Sequence, residues 1–245
     1  MGLLSHPANH PLTKPNLFMK TYVLSATALM ISAALFAADS SLKDTVTGAA
    51  KKLGEQNNYS WKATVVVPES APFKPGPTEG KTEKDGFTHV TMSFGDNRIE
   101  TVKKGDRAAV TDMDGNWKLA SELEKEEGPG RFLSMMVKQI KTPATQVAEL
   151  QAAAKELKKE GDMYSAEMTE DGLKKQFPFG EPKNPKGSVK FWIKDGSLVK
   201  FEAKVEAKME FNGNQFDASR TTTTEIKDVG ATKLNVPEAA EKMLK

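Results

Sequence analysis

The stretch Val199–Phe211, VKFEAKVEAKMEF, alternates apolar and charged residues without a break. Val199, Phe201, Ala203, Val205, Ala207, Met209 and Phe211 fall on one side. Lys200, Glu202, Lys204, Glu206, Lys208 and Glu210 fall on the other. Side chains of a strand point alternately to its two faces, so this is one strand with an apolar face and a wetted face. At about 3.3 Å per residue it spans roughly 40 Å, well beyond the usual strand. A strand this long limits what the chain can become. Its apolar face must be covered along its whole length, by the chain's own helices or by a bound apolar molecule.

The beginning of the chain reads as a targeting segment. Met19-Lys20 precedes TYVLSATALMISAALFA, an apolar run behind a lone positive charge and ending in small residues. That is the pattern of a secretory signal peptide. A membrane anchor is the competing reading; the run is slightly short for one, and its small residues favour cleavage. Residues 1–18 read as an upstream extension, with Met19 the start of the leader. The cut is expected after Ala37 or Ala38. Residues 1–37 are then extension and cleaved signal peptide, 38–245 are a single domain, and the mature chain is periplasmic or secreted.

Of the 35 Lys and Arg residues, Lys14 and Lys20 lie in that leader, so the rest balance the 33 acidic residues. A neutral, evenly mixed chain gives no electrostatic basis for holding nucleic acid. With no cysteine, the exported chain forms no disulfide and carries no lipidated N-terminal Cys, so a hydrophobic core must hold it together.

Along the chain, Leu42, Val46, Ala49 and Leu53 fall at helical spacing and Gly54 stops them, giving a helix over 42–53. Tyr59–Val67 reads as a strand, and 68–86, with Pro68, Pro72, Pro75 and Pro77, as a long loop. An antiparallel meander follows: 87–94, a turn at Gly95-Asp96-Asn97, RIETVKK, RAAVTD, a two-residue turn at Asp114-Gly115, and NWKLA. RFLSMMVKQI then reads as a helix with Phe132, Met136 and Ile140 on one side and Leu133 and Val137 beside them. Thr142-Pro143 opens another, with Val147, Leu150, Ala154 and Leu157 as its stripe and Gly161 as its end. MYSAEM reads as a short strand and TEDGLKKQF as a short capped helix. GSVKFWI, the turn Lys194-Asp195-Gly196, the long strand, the turn Asn212-Gly213-Asn214 and QFDASRTTTTEIKDV return to β-structure. Pro237 opens a terminal helix. Two runs of strands with helices between them predict an α+β fold, with an antiparallel sheet packed on one side by helices.

The residues offer little catalytic chemistry. His89 is the one histidine after the leader, on the polar side of its strand with Thr91 and Ser93, and it reads as a surface residue. No His pair, Cys cluster or HExxH suggests zinc. DMDGNW (112–117) lacks the later bidentate Glu of a calcium loop and reads as a hairpin turn. Phosphate-binding glycine loops are absent. The many carboxylates sit beside lysines in exposed patterns, and none stands out as a nucleophile. No enzyme activity, cofactor or metal is expected.

The signal, the strand containing Trp61, DGNW (114–117), FWIKDGSLVKFEAKVE (191–206) and EIKDVGATKLNVPEAAEKML (225–244) together resemble the LolA/LolB/LppX-like superfamily of bacterial lipoprotein carriers and lipid-binding proteins. The resemblance implies a strongly curved antiparallel sheet, a half-barrel, covered on its concave side by helices. It implies an apolar concave wall that receives acyl chains, with a lipid or acylated protein as partner and no catalysis. Carriers of this kind hold the helical lid by an arginine contact. Arg98, Arg107, Arg131 and Arg220 are the arginines after the leader, and the sequence assigns that role to none of them. The candidate cavity residues are Val199, Phe201, Ala203, Val205, Ala207, Met209 and Phe211 on the long strand, with Phe132, Met135, Met136 and Ile140 from the first lid helix facing them. The small Ala203 and Ala207 leave room that either helix side chains or a ligand fills. The second functional reading is an envelope protein-interaction or stress-sensor module on the same scaffold, with an envelope protein as partner.

Overall fold

The computed structural model describes Gly2 and residues 39–71, 74–95, 97–178, 180–211 and 214–245. The expected signal peptide and its cleavage site, and the turn at Asn212-Gly213, lie outside the described residues. Ser41–Lys245 form one compact unit.

Residues 39–54 are helical (α1). Six strands follow: β1 (Asn58–Val66), β2 (Thr78–Glu83), β3 (Thr88–Phe94), β4 (Asn97–Lys104), β5 (Arg107–Thr111) and β6 (Trp117–Leu119). Then come α2 (Ala120–Leu123), α3 (Pro129–Gln139), α4 (Pro143–Ala152), β7 (Lys158–Glu160), β8 (Met163–Glu167) and α5 (Glu170–Lys174). The chain closes with β9 (Lys183–Lys194), β10 (Ser197–Phe211), β11 (Asn214–Asp217), β12 (Arg220–Lys227) and α6 (Glu238–Leu244).

All strands join one antiparallel sheet in the order β6-β5-β4-β3-β2-β1-β12-β10-β9-β8-β7, with β11 beside β10. Its two ends, β6 and β7, do not pair, so the sheet is open. Sheets this wide curl under their own twist, and this one curves around its helices as the expected α+β half-barrel. The edge strand β7 is exposed and carries Lys158, Lys159 and Glu160, charges that discourage pairing with another chain.

One segment read as loop is a strand. Thr78–Glu83 pairs with both β1 and β3. Its sequence, TEGKTE, carries no large apolar residue, so hydrophobic alternation could not reveal it. Gly80 explains its place: the Trp61 ring lies against it so closely that any side chain there would clash. Two of the turns read from glycine hold among the described residues. Asp195 and Gly196 take positive φ between β9 and β10, and Gly115 takes φ 82° between β5 and β6. Asp112 accepts the backbone N–H groups of Asp114 and Asn116 at 3.0 and 2.9 Å, so its carboxylate serves the turn.

The helix opened by Thr142-Pro143 forms, but ends at Ala152. Ala154 and Leu157 are buried as expected. They are held in extended chain, where Ala154 bridges Met168 and the Lys155 N–H donates to the Glu167 carbonyl. The short helix α5 is capped by Thr169, whose hydroxyl accepts the Gly172 N–H at 3.1 Å.

Candidate functional site

The long strand is β10, and its pairing fixes what lines the concave wall. Antiparallel register sets Tyr164, Phe191, Phe201, Thr224 and Ala63 in one row across β8, β9, β10, β12 and β1. The next row is Ala166, Val189, Ala203, Thr222 and Val65, and the third holds Gly187, Val205 and Arg220. Directly opposed residues share a face. The wall therefore runs from large aromatic groups to small residues and then to one cation.

The opposite, outward face of β10 is wet. Lys190 meets Glu202 at 3.3 Å, Lys183 meets Glu210 at 2.5 Å, and the Lys200 ammonium lies 3.8 Å from the Trp192 ring centre. His89 also faces outward, with Nε2 2.8 Å from Glu100 Oε2.

The concave side is largely filled by the chain itself. Val46, Ala49, Ala50 and Leu53 of α1 and Val147 and Leu150 of α4 belong to the same buried cluster as Phe191, Phe201, Val205 and Ala207. Ala203 and Met209 are partly buried against it. Where the small Ala203 faces α4 and α5 a cleft of about 310 Å³ remains, at the small end of the range for ligand sites. Its floor is Phe201, Ala203 and Val205, with Leu150 and Pro178 above, and its mouth carries Gln146, Lys141, Glu149, Lys175 and Arg220. A second hollow of about 630 Å³ along α4 and α5 shares Lys141, Glu149 and Lys175 with it.

Polar bonds tie the covering helices down. The buried Tyr59 hydroxyl lies close to Thr142 and Ala144 at the start of α4. Burial is the larger influence and pushes its pKa above the ordinary tyrosine value. Lys103 Nζ donates to the Ile140 carbonyl at 3.0 Å just past α3, and burial pushes its pKa down. Arg220 donates to the Gln176 carbonyl after α5, and its guanidinium lies 4.8 Å from the centre of the Phe177 ring. Of the four arginines considered from sequence, it is the one beneath the helices. Arg98 and Arg107 bond on the outer side, to Glu100 and to the Met243 carbonyl, and Arg131 is exposed on α3.

Three of the expected cavity residues are exposed, and one packs elsewhere. Val199 is 40% exposed. The register shifts between Leu198 and Lys200, so a bulge breaks the alternation, and Leu198 takes the buried place at 3% exposure. Phe132 and Met135 are 48% and 39% exposed. The helix α3 turns Gly130, Leu133, Ser134 and Val137 inward instead, because these four lie three and four residues apart on a single stripe. Met136 packs with Ile99 and Val110, away from β10. Of the first-lid-helix candidates, Ile140 alone packs against the cluster holding Phe201 and Val205. The backbone of Phe211 pairs with Asn214, and its side chain lies outside what is described. The helix that does fill the bowl, α1, was legible as a helix; nothing in its amphipathic stripe named the surface it would cover.

Among the described residues no group of three or more His, Cys, Asp or Glu is placed to hold a metal ion, and no helix is long and apolar enough to cross a membrane.

An open antiparallel half-barrel with helices in its concave side defines the class of fold. The structure of lipoprotein LppX from Mycobacterium tuberculosis is similar, with a TM-score of 0.52 at 12% identity, covering 81% of this chain and all of that one. Also similar are LprF from Mycobacterium bovis (TM-score 0.44, 10% identity, 82% of this chain and 98% of that one) and an outer membrane lipoprotein-sorting protein domain from Vibrio parahaemolyticus (0.35, 8%, 81% and 96%). The resemblance read from the sequence thus holds at the level of fold. No family model matches the sequence, and neither does any curated protein.

Proposed function

We propose that the protein is an exported, non-catalytic binding protein that holds a lipid or lipoprotein acyl chain against the concave wall of its half-barrel. Residues 1–37 are the extension and cleaved signal peptide, and 38–245 the mature periplasmic or secreted domain. The observation that carries the reading is the cleft over Ala203, where an apolar floor of Phe201, Ala203 and Val205 meets a polar mouth. The fold shared with LppX, itself a lipoprotein, supports it. Burying each methylene of a ligand contributes about 0.8 kcal/mol, so an acyl chain binds there without a polar constellation. The cleft as it stands is small, so a long chain enters only as α4 and α5 lift from the wall.

Organic extraction of the folded, purified protein followed by mass spectrometry tests this. Stoichiometric lipid is expected. An extract empty of lipid, from protein that also fails to take up added fatty acid, refutes it. The exposed Phe132 and Met135 on α3 favour the second reading, a protein-interaction or stress-sensor module, and that reading gains from an empty extract.

A further inference from the structure

We propose that the cleft selects a single-chain amphiphile with an anionic end, and that Arg220 is the group that pairs with the anion while the tail lies on Phe201, Ala203 and Val205. The inference rests on the acyl-chain reading above and adds the chemistry of the ligand's other end.

Arg220 is the starting point. A guanidinium carries five N–H donors and a permanent charge. Here one N–H goes to the Gln176 carbonyl and one face lies over Phe177. No carboxylate pairs with it among the described residues, and removal from water is the one influence on its ionisation, lowering its pKa. Charges taken out of water are ordinarily paired, because an unpaired one is costly. The single bond to the Gln176 carbonyl just past α5 leaves most of the donors and the charge uncompensated. Those donors belong to a residue that lines the cleft.

The surroundings have the same sign. Lys175 lines the same mouth and makes no ion pair among the described residues, while Glu149 is engaged through both oxygens by Lys141 at 2.7 Å. The mouth therefore has spare positive charge, and the floor, beside Arg220 and two and four residues further along β10, is apolar. In the register Val205 stands opposite Arg220, and Ala203 and Phe201 follow on the same face. A molecule with its anion at Arg220 places its hydrocarbon along these three residues. A carboxylate and a phosphate monoester both match the planar fork of the guanidinium.

Calorimetric titration of the purified protein with dodecanoate, dodecyl phosphate and methyl dodecanoate, each below its micelle-forming concentration, tests the assignment. Either anion should bind about 10- to 100-fold more tightly than the uncharged ester, the scale of one charge-assisted pair. The tighter of the two anions identifies a free fatty acid or a phosphate-bearing lipid as the source. Arg220→Gln should erase the difference between anion and ester. Equal binding of acid and ester, or a difference that survives in R220Q, overturns the role of Arg220 while leaving the apolar cleft standing. Binding of none of the three removes the acyl-chain reading and this inference together. Should R220Q not fold, the acid-to-ester contrast in the unaltered protein still decides, and Arg220→Lys, which keeps the charge and loses the fork, should give an intermediate preference.

Discussion

The two halves of the sheet are built differently. From β4 to β6 both faces are covered. Thr101 and Val110 face inward toward α3 and are fully buried, and Val102 and Ala109 face outward under α6 and are also fully buried. From β8 through β10 to β1 only the concave face is covered, and the outer face of β10 carries the lysine–glutamate pairs. The doubly covered half is a conventional packed layer with no slack. The singly covered half combines aromatic anchors with Ala203 and Thr222, and there the cleft opens. The division separates a part buried on both faces from a part that leaves a cleft.

The sharpest way to break this contrast is to remove an anchor that both functions need. Phe191 is fully buried between Tyr164 and Phe201 in the wall. Phe191→Ala should cost about 3–5 kcal/mol, as large-to-small changes of buried aromatics do. A lowered urea midpoint at unchanged slope is the expected reading. A loss below about 1 kcal/mol would mean that the wall is loosely packed throughout.

The next effect separates the halves directly. Ala109→Leu inserts a large side chain into the buried cluster with Ala240 and Leu244, and overpacking of this kind costs about 1–3 kcal/mol. Ala203→Leu adds the same atoms into the cleft and should cost clearly less, while reducing uptake of fatty acid. Equal destabilisation of the two variants would abolish the distinction between layer and cleft.

How much of this was readable from the sequence follows the same physics. The alternation of β10, the glycine turns and the stripe of α1 are local patterns, and each appears in the structure. The strand β2 was hidden because Thr78, Gly80 and Thr82 fill its inward face without a hydrophobic signal; the Trp61 ring supplies the bulk from the neighbouring strand. Val199 was misplaced because a bulge leaves no mark in an unbroken alternation. Phe132 and Met135 were misassigned for another reason. An amphipathic pattern gives a face but not its partner, and two apolar stripes competed on α3. The choice of Leu133 and Val137 was made by packing against Ile99, Val110 and Leu123, which is tertiary information. Arg220 stood in a run of threonines with nothing to distinguish it from three other arginines until β12 placed it beside Val205.

A smaller effect probes how the cover over the open half is fastened. Tyr59→Phe removes the buried hydroxyl close to Thr142 and Ala144 and should cost about 1 kcal/mol. The sign of its pH dependence follows from burial. Because Tyr59 titrates higher in the folded protein than in the unfolded chain, its contribution is fully present below about pH 10 and is lost as pH rises through the folded value. Denaturation midpoints measured across that range should therefore show the gap between the protein and Y59F closing under alkaline conditions. A gap that is constant with pH would mean that the hydroxyl is not withdrawn from water in the folded protein.

The smallest expected change is on α3, which belongs to the rigid half yet shows Phe132 and Met135 to solvent. If their role lies outside the fold, the paired substitution Phe132→Ser and Met135→Ser should alter stability by no more than about 0.5 kcal/mol, the usual range for surface positions. It should also leave fatty-acid uptake unchanged, because the cleft is lined by other residues. Loss of uptake without loss of stability would bring α3 into the binding half after all, as the sequence suggested, with Phe132 and Met135 meeting the ligand only when the covering helices lift. Unchanged uptake, together with a lost interaction in an envelope extract, would instead assign this ridge to a protein partner and keep the two halves of the molecule functionally apart.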